Sequence, residues 1–301
     1  MTYSQKVKNE LCEVKMHCDN CLKAMLYGIL LFSKGISKNN VQITTENKST
    51  ADFIADSLAV EAGVIVTIDT NLYADKRSIY TVSVDYKNDI DKIIYDVLDD
   101  TIIKKEHINA NFLQNECCKQ AFLRGSFLAG GVVVDPETEY HFEFSVPTEE
   151  LSLDLLNFLE EKKLYYKTVK REKHFVNYTK ESNTIEDTLT YLGAFKASLD
   201  LMNLKIEKEI RNNANRITNC ETANIDKTVS AALKQIKKIK KIKDTIGFDA
   251  LSPQLKEAAI LRFENPDLSL RELTEIYDGK ISRSGLNHRL QKLCEISDNI
   301  E

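Results

Sequence analysis

Two helical runs of the chain share one spelling ninety-seven positions apart. Cys21-Leu-Lys-Ala24-Met-Leu26-Tyr-Gly28 and Cys118-Lys-Gln-Ala121-Phe-Leu123-Arg-Gly125 both read Cys-x-x-Ala-x-Leu-x-Gly, and both continue as apolar helix. The residues beyond each copy keep the same order of periods. After the first come β-rich stretches at 41–45, 64–68 and 79–84, with 3.6-residue periodicity at 50–62 and again from about residue 89. After the second come β-rich stretches at 140–146, 165–169 and 175–178, with helical periodicity at 148–161 and from about residue 183. Each half therefore reads α-β-α-β-β-α, which predicts a duplicated domain with repeats at about 18–100 and 115–193. Gly28 and Gly125 occupy equivalent places inside the two leading helices. Glycine there costs about 1 kcal/mol unless something needs the space. The expectation is that each makes room for the other helix at a pseudo-twofold axis.

Beyond residue 194 the pattern becomes helical and polar. Residues 211–228 carry many asparagines, which suit caps, turns and contacts to phosphates or bases. Two readings stand open: a capped joint between helices, or a nucleic-acid contact through Arg216 and Asn219. Ile236, Ile239 and Ile242 then recur every third residue with lysines between them, an amphipathic helix. Lys237, Lys238, Lys240 and Lys241 either face solvent or neutralise phosphates.

The last stretch predicts three short helices. The first covers 255–263. The second opens on the capping box Ser269-Leu-Arg-Glu272 and runs to 276; a turn at Asp278-Gly279 comes next, and Ser282 caps the third. Leu286, Leu290 and Leu293 form one buried stripe of that third helix. Arg283, Ser284, Asn287, His288, Gln291 and Lys292 lie on its other face, residue types suited to base edges and phosphates. Arg289, between the stripe and that face, is expected at a phosphate. This is a helix-turn-helix pattern, which serves DNA binding or, alternatively, protein docking.

Charge sharpens this picture. Residues 205–243 hold eleven Lys/Arg against four acids, a net +7 within a chain of net charge −5, so the remainder is −12. A basic segment on an acidic chain is a local field for a polyanion. Other classes recede. The chain of 301 residues is 43% apolar and 29% charged, values of a folded globular protein rather than a disordered one. Its longest apolar stretch, 24–32, is half a bilayer span. The N-terminus has no apolar leader, so we expect a cytoplasmic protein without a membrane segment, its seven cysteines reduced. Cys18-Asp-Asn-Cys21 with Cys117-Cys118 suggests a tetrathiolate metal site. However, adjacent helical residues diverge by about 100°, and Cys21 and Cys118 are repeat equivalents suited to packing. No metal and no cofactor is the expectation from spacing, and Cys12, Cys220 and Cys294 lack any ligand pattern.

The duplicated pattern resembles the LAGLIDADG homing-endonuclease fold, most clearly in Leu123-Arg-Gly125-Ser-Phe-Leu-Ala129-Gly130-Gly131. That resemblance implies two axial helices and strands that form a saddle for DNA. In those nucleases the eighth motif position of each copy is a carboxylate that holds a divalent cation. Here the two positions are Ser33 and Gly130, neither of which supplies negative charge. Asp135, five residues on, starts a turn with Pro136. The alternative of a metal-dependent endonuclease is thus weakest at its own centre.

With Asn215-Arg216, Asn219-Cys-Glu-Thr-Ala-Asn224, Lys227-Thr228 with Ala231-Ala232, and Lys280-Ile-Ser-Arg-Ser-Gly-Leu-Asn-His-Arg289, the whole order resembles the WhiA regulators of Gram-positive bacteria. The fold class this implies is α+β: a degenerate LAGLIDADG-like domain at 1–200, then a basic helical linker at 201–246 and an all-α helix-turn-helix domain at 247–301. The function it implies is sequence-specific binding of double-stranded DNA in the cytoplasm and nucleoid, without nuclease activity. The process regulated is sporulation, cell division or chromosome segregation. Another transcription regulator or RNA polymerase is a further expected partner.

Overall fold

The computed structural model describes residues 1–72, 78–277 and 281–300. It forms two compact units, Met1–Glu207 and Lys208–Glu301.

The first unit opens with α1 (Tyr3–Cys12), capped by a reciprocal Thr2–Gln5 box. The first repeat then runs α2 (Asn20–Phe32), β1 (Gly35–Ser37), β2 (Asn40–Thr45), α3 (Lys48–Ala62), β3 (Thr67–Leu72), β4 (Ser78–Val84) and α4 (Lys87–Asp91). A π-helical turn (Lys92–Val97), α5 (Thr101–Lys104) and a 3-10 turn (Ala110–Phe112) lead to the second repeat. This comprises α6 (Glu116–Gly130), β5 (Gly131–Val133), β6 (Phe142–Val146), α7 (Glu149–Glu161), β7 (Lys167–Arg171), β8 (His174–Thr179) and α8 (Ser182–Leu192). The two antiparallel sheets have matching orders, β1-β2-β4-β3 and β5-β6-β8-β7.

Alternation decides which face each sheet buries. Val41 and Ile43 of β2 point inward, as do Phe142, Phe144 and Val146 of β6, while their neighbours along each strand are less covered. The edge strands β3 and β7 are exposed at every position.

Two details depart from the sequence expectation. Each sheet gains a short strand, β1 and β5, immediately after its axial helix. The third strand of each repeat also starts two or three residues late, because Val64 and Leu164 are buried at the ends of α3 and α7. Gly63 and Lys163 ahead of them take left-handed backbone, φ 61° and 60°. In the second repeat, the N–H of Leu164 donates back to Leu159 O at 2.9 Å. The apolar residue closes the helix end instead of starting a strand.

The axis is the contact between α2 and α6. Ten of the thirteen residues of α2 are buried. A Cβ on Gly28 would stand 2.3 Å from Phe122 O, and a Cβ on Gly125 would stand 2.0 Å from Met25 O. The two contacts are reciprocal, since Met25 and Phe122 are themselves repeat equivalents. Backbone approach this close admits only glycine, as expected.

Helix α9 (Phe195–Thr245) begins in the first unit, and the second unit starts within it. The asparagine-rich segment is therefore continuous helix, not a capped joint. No Gly or Pro lies between Phe195 and Thr245, and the helix ends where Gly247 (φ 75°) donates its N–H to Ile242 O. The span read as a separate linker also belongs to two cores. Leu201 is fully buried in the first unit, and Ile239 and Ile242 are fully buried in the second.

In the second unit a 3-10 turn (Phe248–Ala250) precedes α10 (Pro253–Glu264), α11 (Leu270–Ile276) and α12 (Arg283–Asp298). Leu286, Leu290 and Leu293 close against Leu273, Ala258, Ala259 and the α9 isoleucines. The expected turn at Asp278-Gly279 lies outside the described residues.

Candidate nucleic-acid interface

The last two helices of the second unit are started by their own sequence. Ser269 accepts from Glu272 N and the Glu272 carboxylate accepts from Ser269 N at 2.7 Å, which holds that carboxyl below its usual range. Ser282 accepts from Gly285 N at 3.1 Å and opens α12. The buried leucine stripe then fixes the rotation of α12. Arg283, Ser284, His288, Gln291 and Lys292 are consequently exposed, and Asn287 is half-buried at their margin. Arg289 turns away from that face. Its guanidinium stands 4.0 Å from Glu257 on α10, with 23% of the side chain exposed, so the ion pair draws it toward the helix pack.

Beside the starts of α11 and α12 lies a cleft of about 400 Å³. Lys227, Thr228 and Gln235 of α9 line one side; Arg271, Arg283 and Asn287 line the other. Arg271 was absent from the sequence-derived candidates because its helix is only seven residues long and has no periodic stripe to orient it. Lys227-Thr228 entered only through the family pattern. Arg262 braces the floor by donating to Leu268 O at 2.5 Å, and burial pushes its guanidinium below its usual range. Its Nε and Gln235 Oε1 are buried without a hydrogen-bond partner among the described residues, and both residues line this cleft. The three exposed cations around the cleft, Lys227, Arg271 and Arg283, suit an anionic ligand.

The lysines near the end of α9 divide into two pairs. Lys237 and Lys240 are exposed and make no ion pair with any described residue. Lys238 reaches Asp298 at 2.5 Å, which raises its pKa, and Lys241 donates to Ile300 O at 2.5 Å. Two of the four expected phosphate contacts are thus occupied by the end of α12. Arg216 and Asn219 are exposed on the middle of α9. Arg216 and Lys227, eleven residues apart, fall on one side of the helix, roughly 16 Å from each other along it.

In the first unit, Ser33 caps the C-terminal end of α2, and Gly130 is the last residue of α6. The Ser33 hydroxyl is turned back onto Ile29 O at 2.7 Å, and a Cβ on Gly130 would stand 2.9 Å from Ser145 O. Cations attend both helix ends. Lys105 Nζ donates to Ser33 O, and Lys8 Nζ donates to Leu128 O at 3.3 Å. Desolvation pushes both ammonium groups down to about 8. Lys8 and Lys105 are themselves ninety-seven positions apart, one ahead of each repeat, and each brings an ammonium to the partially negative end of an axial helix. These two lysines escaped the sequence reading because nothing local distinguishes them from surface lysines. Asp135 accepts from Glu137 N at 3.0 Å and closes the turn with Pro136, as expected. On the second sheet, the β7–β8 hairpin exposes Lys167, Lys170, Arg171 and Lys173, a basic edge that the strand pattern alone had not singled out.

The cysteine pairs meet. The Sγ atoms of Cys18, Cys21, Cys117 and Cys118 all lie within 4.8 Å of one another, a convergence that the adjacency of Cys117 and Cys118 argued against. Cys18 approaches from the loop ahead of α2, and its Sγ comes within reach of both Cys117 and Cys118, at 3.6 and 3.5 Å.

Comparison with known proteins agrees with both units. Residues 119–211 match the family model of the WhiA LAGLIDADG-like domain, and residues 214–297 match that of the WhiA C-terminal HTH domain. The probable cell division protein WhiA of Alkaliphilus metalliredigens is 38% identical over 99% of this chain and 98% of its own. The protein of the same name from Ruminiclostridium cellulolyticum is 38% identical over 100% and 98%. The crystal structure of full-length DUF199/WhiA from Thermatoga maritima shares the fold, with a TM-score of 0.62 and 20% identity over 100% of this chain and 99% of that one. No described helix is long and apolar enough to cross a membrane.

Proposed function

The chain belongs to the WhiA family, and from that premise we propose that it is a sequence-specific DNA-binding transcriptional regulator, nucleoid-associated, that acts in cell division and does not cut DNA. One observation carries the reading. The leucine stripe of α12 is locked into the core, which turns Arg283, Ser284, His288, Gln291 and Lys292 outward on a rigid helix whose start borders the Lys227–Arg271–Arg283 cleft. A helix so placed can enter a major groove, read base edges with Asn287 and His288, and rest neighbouring phosphates on the cleft cations. A contact with another transcription regulator or RNA polymerase belongs to the same proposal as its downstream step.

The nuclease alternative is disfavoured by charge as well as by the missing acids. A hydrolytic metal at the ends of α2 and α6 would sit beside Lys8 and Lys105, whose ammonium groups already answer the negative helix ends. The unit is better suited to be a platform whose basic β7–β8 edge touches the duplex outside the recognised bases.

Selection of genomic fragments by the purified full chain, followed by titration of a selected and a scrambled duplex, tests the proposal. Asn287→Ala with His288→Ala should cost about 1–3 kcal/mol per lost base contact on the selected duplex and far less on the scrambled one. No enrichment of any sequence, or equal losses on both duplexes, would sink the base-reading role.

A further inference from the structure

We propose that Cys18, Cys21, Cys117 and Cys118 bind one zinc ion as a tetrathiolate that fastens the two repeats together at the open ends of their axial helices. The geometry is close to that of a bound site. Tetrahedral zinc with bonds of about 2.3 Å to sulfur places its ligands roughly 3.8 Å apart. Cys18 Sγ lies 3.4 Å from Cys21, 3.5 Å from Cys118 and 3.6 Å from Cys117, and all six pairs fall within 4.8 Å. Movements of a few tenths of an ångström to about one ångström, within side-chain rotation, bring all four onto one centre.

Simple packing accounts for half of the cluster. Cys21 and Cys118 are buried at equivalent positions of α2 and α6, as small apolar residues would be. Cys18 and Cys117 are only partly covered, and a partly exposed thiol gains little from packing. Their convergence on the buried pair is what a ligand set requires. All four are free cysteines.

Cys21 lies in the first turn of α2, and Cys117 and Cys118 lie in the first turn of α6, so the starts of both axial helices, with their partial positive charge, border the cluster and suit a centre that is anionic once the metal is bound. On binding, four thiols lose four protons to solvent and four Zn–S bonds form. The centre then carries a net charge of −2, and no group is oxidised or reduced. Soft sulfur donors in a tetrahedral set select zinc over the hard cations that hydrolyse phosphate esters. With four protein ligands no position is left for water, so the ion is structural. Its ligands span both repeats, and it stands at the opposite ends of α2 and α6 from the Ser33 and Gly130 positions.

The full chain, purified under reducing conditions without chelator, should contain about one zinc per chain by elemental analysis. Cys18→Ser and Cys117→Ser change partly exposed positions, and each should lose most of that zinc while retaining its helical circular dichroism. Cys12→Ser, Cys220→Ser and Cys294→Ser should keep it. Cobalt(II) in place of zinc should give the visible bands and sulfur-to-metal charge transfer of a tetrahedral tetrathiolate, and Cys117→Ser should weaken them. In the wild type, four of the seven thiols should react slowly until a strong chelator is added. A folded wild type without zinc whose seven thiols react at a chelator-independent rate overturns the proposal, whatever the variants do, and stoichiometric iron in place of zinc overturns the choice of metal. Either result leaves the DNA-binding reading untouched.

Discussion

Replacing Lys237 and Lys240 with Gln should flatten the salt dependence of DNA binding, whereas replacing Lys238 and Lys241 should not. All four lie within five residues on α9, so composition treats them alike. Their surroundings do not. Lys237 and Lys240 project into solvent, while Lys238 is held by Asp298 and Lys241 by the carbonyl of Ile300. A lysine that neutralises a phosphate releases condensed counterions and contributes about 0.9 to the slope of log K against log salt. Lys237→Gln with Lys240→Gln should therefore reduce the slope by up to about 1.8, with site preference nearly intact. Lys238→Gln with Lys241→Gln should leave the slope close to wild type and loosen the end of α12 instead, seen as a lower unfolding midpoint. Fluorescence anisotropy at several salt concentrations, on a selected duplex and a scrambled one, separates these outcomes. An unchanged slope for the first pair would remove this stretch of α9 from the DNA interface. Equal flattening by both pairs would refute the division made by the ion pair and the carbonyl.

The first unit supports three further expected outcomes. Gly125→Ala sets a methyl group 2.0 Å from Met25 O, backbone that cannot move aside, so the loss of stability should reach or exceed the roughly 1–3 kcal/mol typical of overpacking; a chemical denaturation midpoint equal to wild type would refute the close approach. For Lys105, burial lowers the folded pKa to about 8 from 10.5, so between those values the unfolded chain binds more protons and stability rises with pH. Below pH 8 both states are protonated and the cost of burying the cation is complete; Lys105→Met should thus gain most relative to wild type at pH 7 and less at pH 9.5, and urea midpoints with the same gap at both pH values would contradict the assignment. Incubated with supercoiled plasmid and Mg²⁺ or Mn²⁺, the wild type should leave it uncut, and Ser33→Asp with Gly130→Asp should not create cleavage, because the Gly130 Cβ meets Ser145 O at 2.9 Å; cutting that is lost in Asp135→Asn would show that the acids were sought in the wrong place.

The DNA-binding unit was legible because its signals are local. Caps at Ser269 and Ser282 and the stripe of Leu286, Leu290 and Leu293 each span one or two helical turns, and the face opposite a stripe is set by helix geometry. Two positions in the second unit and its leading helix have surroundings that the local pattern does not encode. Arg289 lies one residue from Leu290, so helical angle alone could not decide between solvent and Glu257. The asparagines at 211–224 favour caps by propensity, yet an unbroken run without Gly or Pro carried the helix through them.

The duplication, the α+β class, the trihelical C-terminal unit and the lack of both motif carboxylates can be read along the chain, because repeats, periodicity and residue identity are properties of the chain in one dimension. Three other arrangements arise only on folding: Lys8 and Lys105 answer the ends of the axial helices, Cys18, Cys21, Cys117 and Cys118 converge, and Lys227, Arg271 and Arg283 share a cleft. Each depends on groups that are tens to about a hundred residues apart and meet only once α2 packs on α6 or α12 packs on α9. Spacing along a helix constrains the directions of two side chains on that helix. It places no constraint on a group arriving from elsewhere in the fold, and each of these arrangements depends on one.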